Sequence, residues 1–484
     1  MVFSRLFFLY LFLPLCLLCY FLTPSIRAKN VVLLVFSLLF YAWGEPVYIF
    51  LMLAMAGVNY GAALLLEKRH ARAILALALG ADLLCLAIFK YSAFLVENFN
   101  ALTGLSVPVP GLALPIGISF YTFQALSYVV DVWRGQVRAQ RSFFRYLLYL
   151  SMFPQLIAGP IVRYADVEAQ LDAREEKPAE MFYGATRFCM GRAKKVLLAD
   201  PAGKVAAQLL GASPASGTTL GMWLGVTLYM FEIYFDFSGY SDMAIGMGRI
   251  FGFRFPENFR LPYTAKSITE FWRRWHISLS SFFRDYVYIP LGGNRKGDAR
   301  TVLNLLVVWI LTAAWHGSTL NFMLWGLFLW FFIVLERTVE KAAKALRKRR
   351  TAGKAAEALQ KRKTAGKAKQ RHFGIFSHLY LWAVIPVTWM CFANEDFSQL
   401  KIYLGRMFGL LPGVNVNAAD WKKAISNYGF LLLCCFVFCT PIVRRWYGKW
   451  KNSVIGYLVL ILLFWLSVWR VIVAGENTFM YLRF

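Results

Sequence analysis

Long apolar segments recur along the chain, and this pattern decides what the chain can fold into. Of the 484 residues, 59% are hydrophobic, and the mean hydropathy is +0.51, whereas soluble domains are about 45–50% apolar. Roughly 20 apolar residues form a helix that crosses a bilayer. We therefore predict an all-α polytopic membrane protein with about eleven to twelve transmembrane helices, plus re-entrant and interfacial helices where a segment is short or interrupted. The predicted spans are 5–23, 30–44, 47–66, 73–96, 114–133, 143–162, 218–236, 301–316, 320–335, 374–392, 428–442 and 453–473.

The positive charge of the chain is concentrated in the stretches between these segments. The net charge is +27, and residues 337–372 alone carry 14 Lys and Arg against 2 Glu. Cytoplasmic loops of membrane proteins have this excess of basic residues, which also attracts anionic lipid, so we expect the lipid bilayer and not nucleic acid as the partner of this charge. The loops 97–113 and 393–427 are then expected outside. The segments expected on the cytoplasmic side are 67–72, 134–145, 295–300, 337–372 and 443–451.

The whole chain, 1–484, is predicted to form one membrane domain. We expect its first apolar stretch to be a retained anchor, because no clear small-residue cleavage site follows it. The region 163–300 does not divide simply into spans, and we expect an amphipathic helix over 178–199 there. The 8 Cys show no metal-ligand spacing, so we expect apolar packing and no metal site. The predicted parts are N-terminal helices 1–133, a catalytic core region 134–336, a basic cytoplasmic linker 337–372 and C-terminal helices 373–484.

Two of the 5 histidines lie in membrane-seeking sequence and are the first candidates for chemistry. A neutral imidazole is the least costly side chain that can move a proton inside a bilayer. His276 ends the run Trp-Arg-Arg-Trp-His, and a helix over 271–286 would place aromatic residues on one face and charged residues opposite. Such a helix would lie at the inner membrane interface or dip into a cavity. An interfacial helix in which His276 only caps a neighbour is the alternative.

His316 lies where an apolar run breaks. A helix that starts near Arg300 would carry His316 about 24 Å deeper at about 1.5 Å per residue, past the midplane and toward the outside. Gly317, Ser318 and Asn321 interrupt the sequence before the next span. An ionisable group at such a break suits a cavity-lining site. The alternative is a histidine bonded to a backbone carbonyl in a tight helical hairpin.

Three carboxylates lie in the apolar run 228–242. Glu232 and Asp236 share a helical face at a spacing of four residues, and Asp242 follows shortly after. Carboxylates at this depth must be protonated or paired. Structural pairing is the simpler interpretation, and proton relay or cation transport is the alternative. The basic partners expected for them are Arg249, Arg254, Arg273 and Arg274.

Two further segments carry helix-breaking or polar residues within apolar sequence. Pro154 and Pro160 punctuate 152–163, which predicts a broken helix. Polar residues are scattered through 114–123. Either segment would line a passage or serve helix packing, and the residues alone leave both interpretations open.

Taken together, these motifs resemble the membrane-bound O-acyltransferase family, and most closely its bacterial branch, the membrane subunits of alginate O-acetyltransferase. The resemblance extends over essentially the whole chain and is most specific over 234–317. It is carried by the runs 114–123, 153–163, 234–248, 256–258, 270–279, 284–295, 315–317 and the C-terminal 480–484.

The resemblance implies roles for both histidines. The family's catalytic histidine, in Trp-His-Gly, corresponds to His316, and the histidine of Trp-Arg-Arg-Trp-His, a second functional position, corresponds to His276. It also implies a ring of tilted helices around a thin centre, where a funnel and tunnel join a cytoplasmic donor side to an outer acceptor side. The implied protein is a multi-pass protein of the bacterial inner (cytoplasmic) membrane. It moves acyl groups outward to exported or periplasmic acetyltransferase partners, which O-acetylate a polysaccharide such as alginate.

Acyl transfer from a thioester to a hydroxyl needs a base for the hydroxyl proton and donors for the developing oxyanion. We expect His316 to be that base, with polar support from Ser318 and Asn321, and His276 to position the donor or orient its thioester carbonyl. No bound cofactor is expected, since acetyl-coenzyme A or an acyl carrier protein thioester is the donor substrate. The residues expected to bind the donor are Arg273, Arg274, Trp275 and Lys296. Their basic side chains would attract phosphates or an acidic carrier, or simply extend toward the interface.

Two other classes of function remain open on the sequence. A transporter or flippase for a polysaccharide or its precursor would use Glu232 and Asp236 as proton or ion sites. A scaffold would only recruit exported enzymes. Loss of thioester chemistry with His316 would indicate the enzyme, whereas substrate movement without either histidine would indicate the transporter.

Overall fold

The structure is a computed structural model that describes residues 3–211, 216–354, 369–394, 396–411, 418–451, 453–475 and 479–480. Within these ranges every regular element is a helix, which confirms the all-α prediction. π-Helical turns at Phe8–Phe12, Lys194–Ala199 and Arg284–Tyr288 and a 3-10 turn at Pro262–Thr264 accompany the α-helices. These are α1 (Leu13–Leu22), α2 (Ile26–Gly44), α3 (Tyr48–Arg69), α4 (Arg72–Thr103), α5 (Ile118–Trp133), α6 (Phe143–Ser151), α7 (Phe153–Leu156), α8 (Tyr164–Asp172), α9 (Pro178–Ala193), α10 (Asp200–Leu210), α11 (Thr219–Ile250), α12 (Ile268–Trp272), α13 (Ile277–Phe283), α14 (Asp298–His316), α15 (Leu320–Lys354), α16 (Lys369–Ala393), α17 (Phe397–Met407), α18 (Asp420–Phe438), α19 (Pro441–Trp450) and α20 (Val454–Ala474).

Seven of the described helices, α2, α3, α4, α14, α15, α16 and α20, are long and apolar enough to cross a membrane. The pair α18 and α19 together forms an eighth candidate, bent by 77°. The chain is therefore a multi-pass membrane protein, as predicted. α15 continues as far as Lys354, so the basic segment 337–372 begins as the extension of a membrane helix. Its residues 355–368 lie outside the described residues.

The predicted number of eleven to twelve spans is higher than the number among the described residues. Apolar composition does not distinguish a helix that faces lipid from one that is buried in protein. α5 is 16 residues long, and nearly all its side chains are buried. The segment 143–162 is broken at Met152 into α6 and α7, which confirms the predicted broken helix. The segment 218–236 forms the first half of α11, whose polar residues reduce its hydropathy.

The long, mostly buried helix α11 is the centre of the molecule, and α9 crosses it at close range. Two pairs of glycines face each other there. A Cβ built on Gly191 would lie 2.5 Å from the carbonyl oxygen of Gly239, and one on Gly239 would lie 2.6 Å from that of Gly191. One heptad along each helix, Gly184 and Gly246 repeat the arrangement at 2.5 Å in both directions. Small residues at such crossings let the two backbones touch, which is how helices pack tightly in membranes.

The same crossing pairs the carboxylates of α11 with basic residues of the predicted 178–199 helix, which the structure forms as α9 and the π-turn after it. Asp236 lies 2.6 Å from Lys195, which also bonds Asp200 at 2.7 Å. Asp242 lies 2.8 Å from Arg187 and 2.5 Å from Lys194. Buried charges are tolerated when paired in this way.

The predicted basic partners of these carboxylates are therefore wrong for Asp236 and Asp242. Arg249 lies two helical turns beyond Asp242 on the same helix, where it bonds Glu180 at 2.5 Å, and Arg254 lies 3.7 Å from the same carboxylate. Arg274 binds Glu270 within its own segment. The third carboxylate, Glu232, packs against Gly203 of α10, where a Cβ would lie 2.1 Å from Glu232 Oε1.

Two hydrophobic cores fill the described part of the protein. The first core contains Phe40, Tyr128 and Phe153 and is built largely by α2, α5, α6 and the second half of α11. The second core contains Trp325 and Trp389 and is built largely by the first half of α11 with α15 and α16. α11 thus joins the two cores, and both predicted histidines lie where the cores meet.

The α9–α11 crossing yields a stability prediction. Gly239→Ala should lower the thermal stability of the purified protein in detergent, because the added Cβ forces the two backbones apart, and overpacking of this kind costs typically about 1–3 kcal/mol. Gly80→Ala on α4 is the matched control, since nothing lies within 4 Å of a Cβ at Gly80. Equal melting temperatures for the two variants would contradict the close crossing.

Candidate active site

The backbone around His276 forms a break between two short helices, so the predicted continuous helix over 271–286 is wrong. α12 ends at Trp272, His276 has left-handed φ and ψ of 44° and 55°, and α13 begins at Ile277. A non-glycine residue rarely adopts this conformation, which the surroundings must impose. Asn258 supplies a bond that a continuous helix would have made internally: its backbone carbonyl oxygen accepts from the Ile277 N–H at 3.0 Å.

The break divides the aromatic residues that one continuous helix would place on one face. Phe271 and Trp275 pack in the second core, whereas Leu279 and Phe282 pack in the first. His276 lies between them and is 1% exposed, so its ring is enclosed by protein. The segment carries His276 through the boundary of the two cores.

A buried hydrogen-bond network holds the His276 ring. Its Nδ1 lies 3.1 Å from Asn258 Oδ1, which also accepts from Ser278 Oγ at 2.9 Å. Asn258 Nδ2 donates to Ser241 Oγ at 3.0 Å, and the Ile161 N–H donates to Ser278 Oγ at 3.0 Å. Residues from α11, the 152–163 segment and the 256–258 run thus converge on this histidine.

The far end of α13 is fixed by charge. In the π-turn that follows it, Asp285 binds Arg163 at 2.7 Å and Arg284 at 2.6 Å. Partial burial opposes ionisation of this carboxyl, but the two guanidinium groups outweigh it and hold the pKa of Asp285 below its usual value. Both ends of the short helix are therefore anchored to other segments.

His316 is the last residue of α14 and is 4% exposed. The next three residues turn the chain into α15, so the hairpin considered from the sequence is present. The imidazole lies among aromatic rings, with centroid distances of 5.0 Å to Trp325 and 5.1 Å to Phe392. These rings belong to the second core, which orients the His316 ring through packing.

Two side chains of α4 close the end of α14. The last carbonyl groups of a helix have no partner within it. Here the Ala314 carbonyl accepts from the hydroxyl of Tyr91, and the Trp315 carbonyl accepts from the ammonium of Lys90. The ammonium also lies 5.9 Å from the centroid of the Trp315 ring. A cation at a helix C-terminus is favourable, so Lys90 stabilises the position of His316.

Trp315 joins the two histidines. Its ring centroid lies 5.8 Å from that of His276 and 4.6 Å from that of His316. Phe120 of α5 contacts both Trp315, at 5.9 Å, and His276, at 6.4 Å. The structure therefore brings both predicted histidines into contact with the same aromatic ring, that of Trp315.

A pocket reaches His316 from the segment 114–120. The other lining residues are Ile157 and Trp315, so both interrupted segments, 114–123 and 152–163, contribute to it. Leu114 and Ile116 are partly exposed, and the loop before them is predicted to lie outside. The pocket is where the predicted passage would reach His316, and the passage itself stays a prediction.

The remaining predicted site residues have different surroundings. Asn321 is buried near the start of α15 and donates to the Asn394 carbonyl, and Ser318 lies in the turn before it. Trp275 is 1% exposed and packs 5.0 Å from Trp389 in the second core. Arg274 donates to Thr264 at 2.8 Å in addition to its bond with Glu270, whereas Arg273 and Lys296 are exposed.

These features define a class of protein: a polytopic helical membrane protein with two buried histidines at helix ends, both in contact with one tryptophan ring. The family model of MBOAT, the membrane-bound O-acyltransferase family, matches residues 1–356. The chain belongs to this family, which confirms the predicted membrane-bound O-acyltransferase.

Bacterial relatives support the same conclusion. A probable alginate O-acetylase of Azotobacter vinelandii is 43% identical over 361 residues, 72% of each chain. One of Pseudomonas syringae pv. tomato is 42% identical over 437 residues, 88% of this chain and 77% of the relative. A peptidoglycan O-acetyltransferase of Helicobacter pylori is 35% identical over 364 residues, 68% of each chain.

Sequence reasoning does not identify three residues that hold the site: Asn258, Lys90 and Tyr91. A signal exists for Lys90, since an ionisable residue inside an apolar run indicates function. A weaker signal exists for Asn258, which lies in one of the runs that carry the family resemblance. For Tyr91 the residues offer no signal, because its role depends on where α4 meets α14.

The α4–α14 contact yields a prediction. Lys90→Met should lower the acyl transfer rate about tenfold and the thermal stability modestly. It leaves the buried Trp315 carbonyl without its donor, and an unsatisfied group of this kind costs roughly 1–3 kcal/mol of folding free energy. Transfer assays and melting curves in detergent would measure both, with Lys401→Met on the exposed part of α17 as control. Full activity of Lys90→Met would show that the end of α14 does not need this donor.

Proposed function

We propose that the protein is an O-acetyltransferase that takes an acetyl group from a cytoplasmic thioester and passes it through the membrane for O-acetylation of a polysaccharide outside. The observation that carries this proposal is His316, which is buried at the end of α14 and lines a pocket beside the segment that follows the predicted outer loop. The relatives named as alginate and peptidoglycan O-acetyltransferases support acetyl as the group transferred.

His316 is the proposed general base. It removes the proton from the acceptor hydroxyl as the oxygen attacks the thioester carbonyl carbon, and the carbon–sulfur bond then breaks. The imidazolium returns the proton to the departing thiolate, so the ring ends neutral. The aromatic surroundings of His316 exclude water, which limits hydrolysis of the thioester.

His276 is proposed to act on the donor. Its ring contacts Trp315, as that of His316 does, but it is not among the residues that line the pocket. Acetyl-coenzyme A or an acyl carrier protein thioester is the proposed donor substrate. The exposed Arg273 and Lys296 are available to attract donor phosphates or an acidic carrier surface, whereas Arg274 is already bonded to Glu270.

The proposed setting is the bacterial inner (cytoplasmic) membrane. The proposed partners are exported or periplasmic acetyltransferase proteins, with an acyl carrier protein as a possible donor and the polysaccharide as acceptor. A transporter that uses carboxylates is less well supported, because Asp236 and Asp242 are held in ion pairs within the protein.

The role of His316 has a direct test. His316→Ala should abolish acetylation of extracellular polysaccharide and reduce transfer of labelled acetyl groups by purified protein at least 100-fold, because no base remains for the hydroxyl proton. Expression and melting temperature should stay close to those of the wild type. His70→Asn is the control, since Asn tolerates the left-handed conformation of that residue. Wild-type acetylation in His316→Ala would remove this histidine from the mechanism.

The pocket predicts a separate effect on the acceptor. Ile116→Trp should fill the approach to His316 and lower transfer to the acceptor at least tenfold. Thioester hydrolysis without acceptor should change less than about twofold, because the donor arrives from the other side. Leu112→Trp is the matched control, since Leu112 is 45% exposed and does not line the pocket. Unchanged acceptor transfer in Ile116→Trp would show that the acceptor uses another route.

A further inference from the structure

The hydrogen bonds around Asn258 determine which nitrogen of His276 carries the hydrogen. The Ser278 backbone N–H can only donate, and it points to Asn258 Oδ1 at 3.3 Å. On the other side, Asn258 Nδ2 faces Ser241 Oγ at 3.0 Å. The Ser278 N–H therefore orients the amide with its oxygen toward His276, and the Ser241 hydroxyl, which can donate or accept, fits this orientation. An amide oxygen accepts and never donates.

It follows that His276 Nδ1, 3.1 Å from this oxygen, must be protonated to bond it. A neutral imidazole has one N–H, so its lone pair is then on Nε2. The hydroxyl of Ser278 does not compete for Nδ1, because it lies 3.5 Å away and 2.9 Å from Asn258 Oδ1.

Asn258 also shapes the backbone at this histidine. Its carbonyl oxygen accepts from the Ile277 N–H at 3.0 Å, and its side-chain oxygen accepts from the Ser278 N–H. These are the first two N–H groups of α13, which a helix leaves without internal partners. One residue from a distant run thus caps the helix, holds the left-handed turn at His276 and faces its ring.

We propose that Asn258 is a positioning residue that holds His276 as the Nδ1–H tautomer and presents the Nε2 lone pair to the acyl donor. This inference rests on the proposed function and refines it. In this tautomer, neutral His276 accepts a hydrogen bond and cannot donate one to a thioester carbonyl. The matching group on the donor is an N–H, such as an amide of the arm that coenzyme A and carrier proteins share.

The tautomer can be measured without any activity. With only 5 His in the chain, ¹⁵N-histidine labelling gives few signals, and His276→Gln identifies those of His276. In the wild-type protein in detergent at neutral pH, Nδ1 should show the shift of a protonated ring nitrogen and Nε2 that of an unprotonated one. The opposite assignment would overturn the proposal, whether or not the enzyme transfers acetyl groups.

Kinetics of three variants separate positioning from packing. Asn258→Leu should reduce kcat at least tenfold and lose the single-tautomer signature, whereas Asn258→Asp, which keeps an acceptor oxygen, should restore both to within about threefold of the wild type. Ser241→Ala removes only the partner of Nδ2, so it should reduce kcat less than Asn258→Leu does and keep the single-tautomer signature. If Asn258→Leu does not fold, Asn258→Asp and the wild-type spectrum still decide the matter. An active Asn258→Leu with an unchanged spectrum would refute the role of Asn258 while leaving that of His316 intact.

Discussion

A helix that ends inside a membrane protein leaves backbone groups that water cannot reach, and the site depends on how this protein satisfies them. α14 ends at His316 and α13 begins after His276, both in the interior. The Lys90 ammonium of α4 donates to the Trp315 carbonyl in the last turn of α14, and Asn258 accepts from the first two N–H groups of α13. Because these partners come from other segments, each histidine is held in place by several parts of the chain at once.

The two hydrophobic cores meet where α14 ends and α13 begins, and this explains the position of both helix ends. α11 contributes its first half to one core and its second half to the other, and its glycines let α9 approach closely. The chain passes from the second core to the first at His276, where a straight helix would keep all its aromatic residues in one core. The turn over 273–276, which ends in the left-handed His276, makes this passage. The break therefore follows from how the two cores pack.

The sequence predicts the helices, the break after His316 and the broken segment 152–163, because proline, glycine and apolar runs act locally. It does not predict the break at His276, since the residues on both sides of it are aromatic and suit either one helix or two. Asn258 is 18 residues away, and its bonds arise only from folding. The sequence does not identify Lys195 as the partner of Asp236 for the same reason, because charge alone does not show that Lys195 packs against α11 beside Asp236. Nor does hydropathy separate α5, which is buried in protein, from the helices that face lipid.

The position of Trp315 gives the two histidines different surroundings. Its ring contacts both imidazoles, but the pocket is lined by Trp315 and His316 and not by His276. His316 is oriented by aromatic packing, whereas His276 is oriented by a chain of hydrogen bonds. The proposed role of His316 is to exchange a proton with a hydroxyl, and a site from which water is excluded suits that step. The proposed role of His276 requires a single tautomer, and a hydrogen-bond partner of fixed direction suits that requirement. This asymmetry supports the proposal that the two histidines act on different substrates.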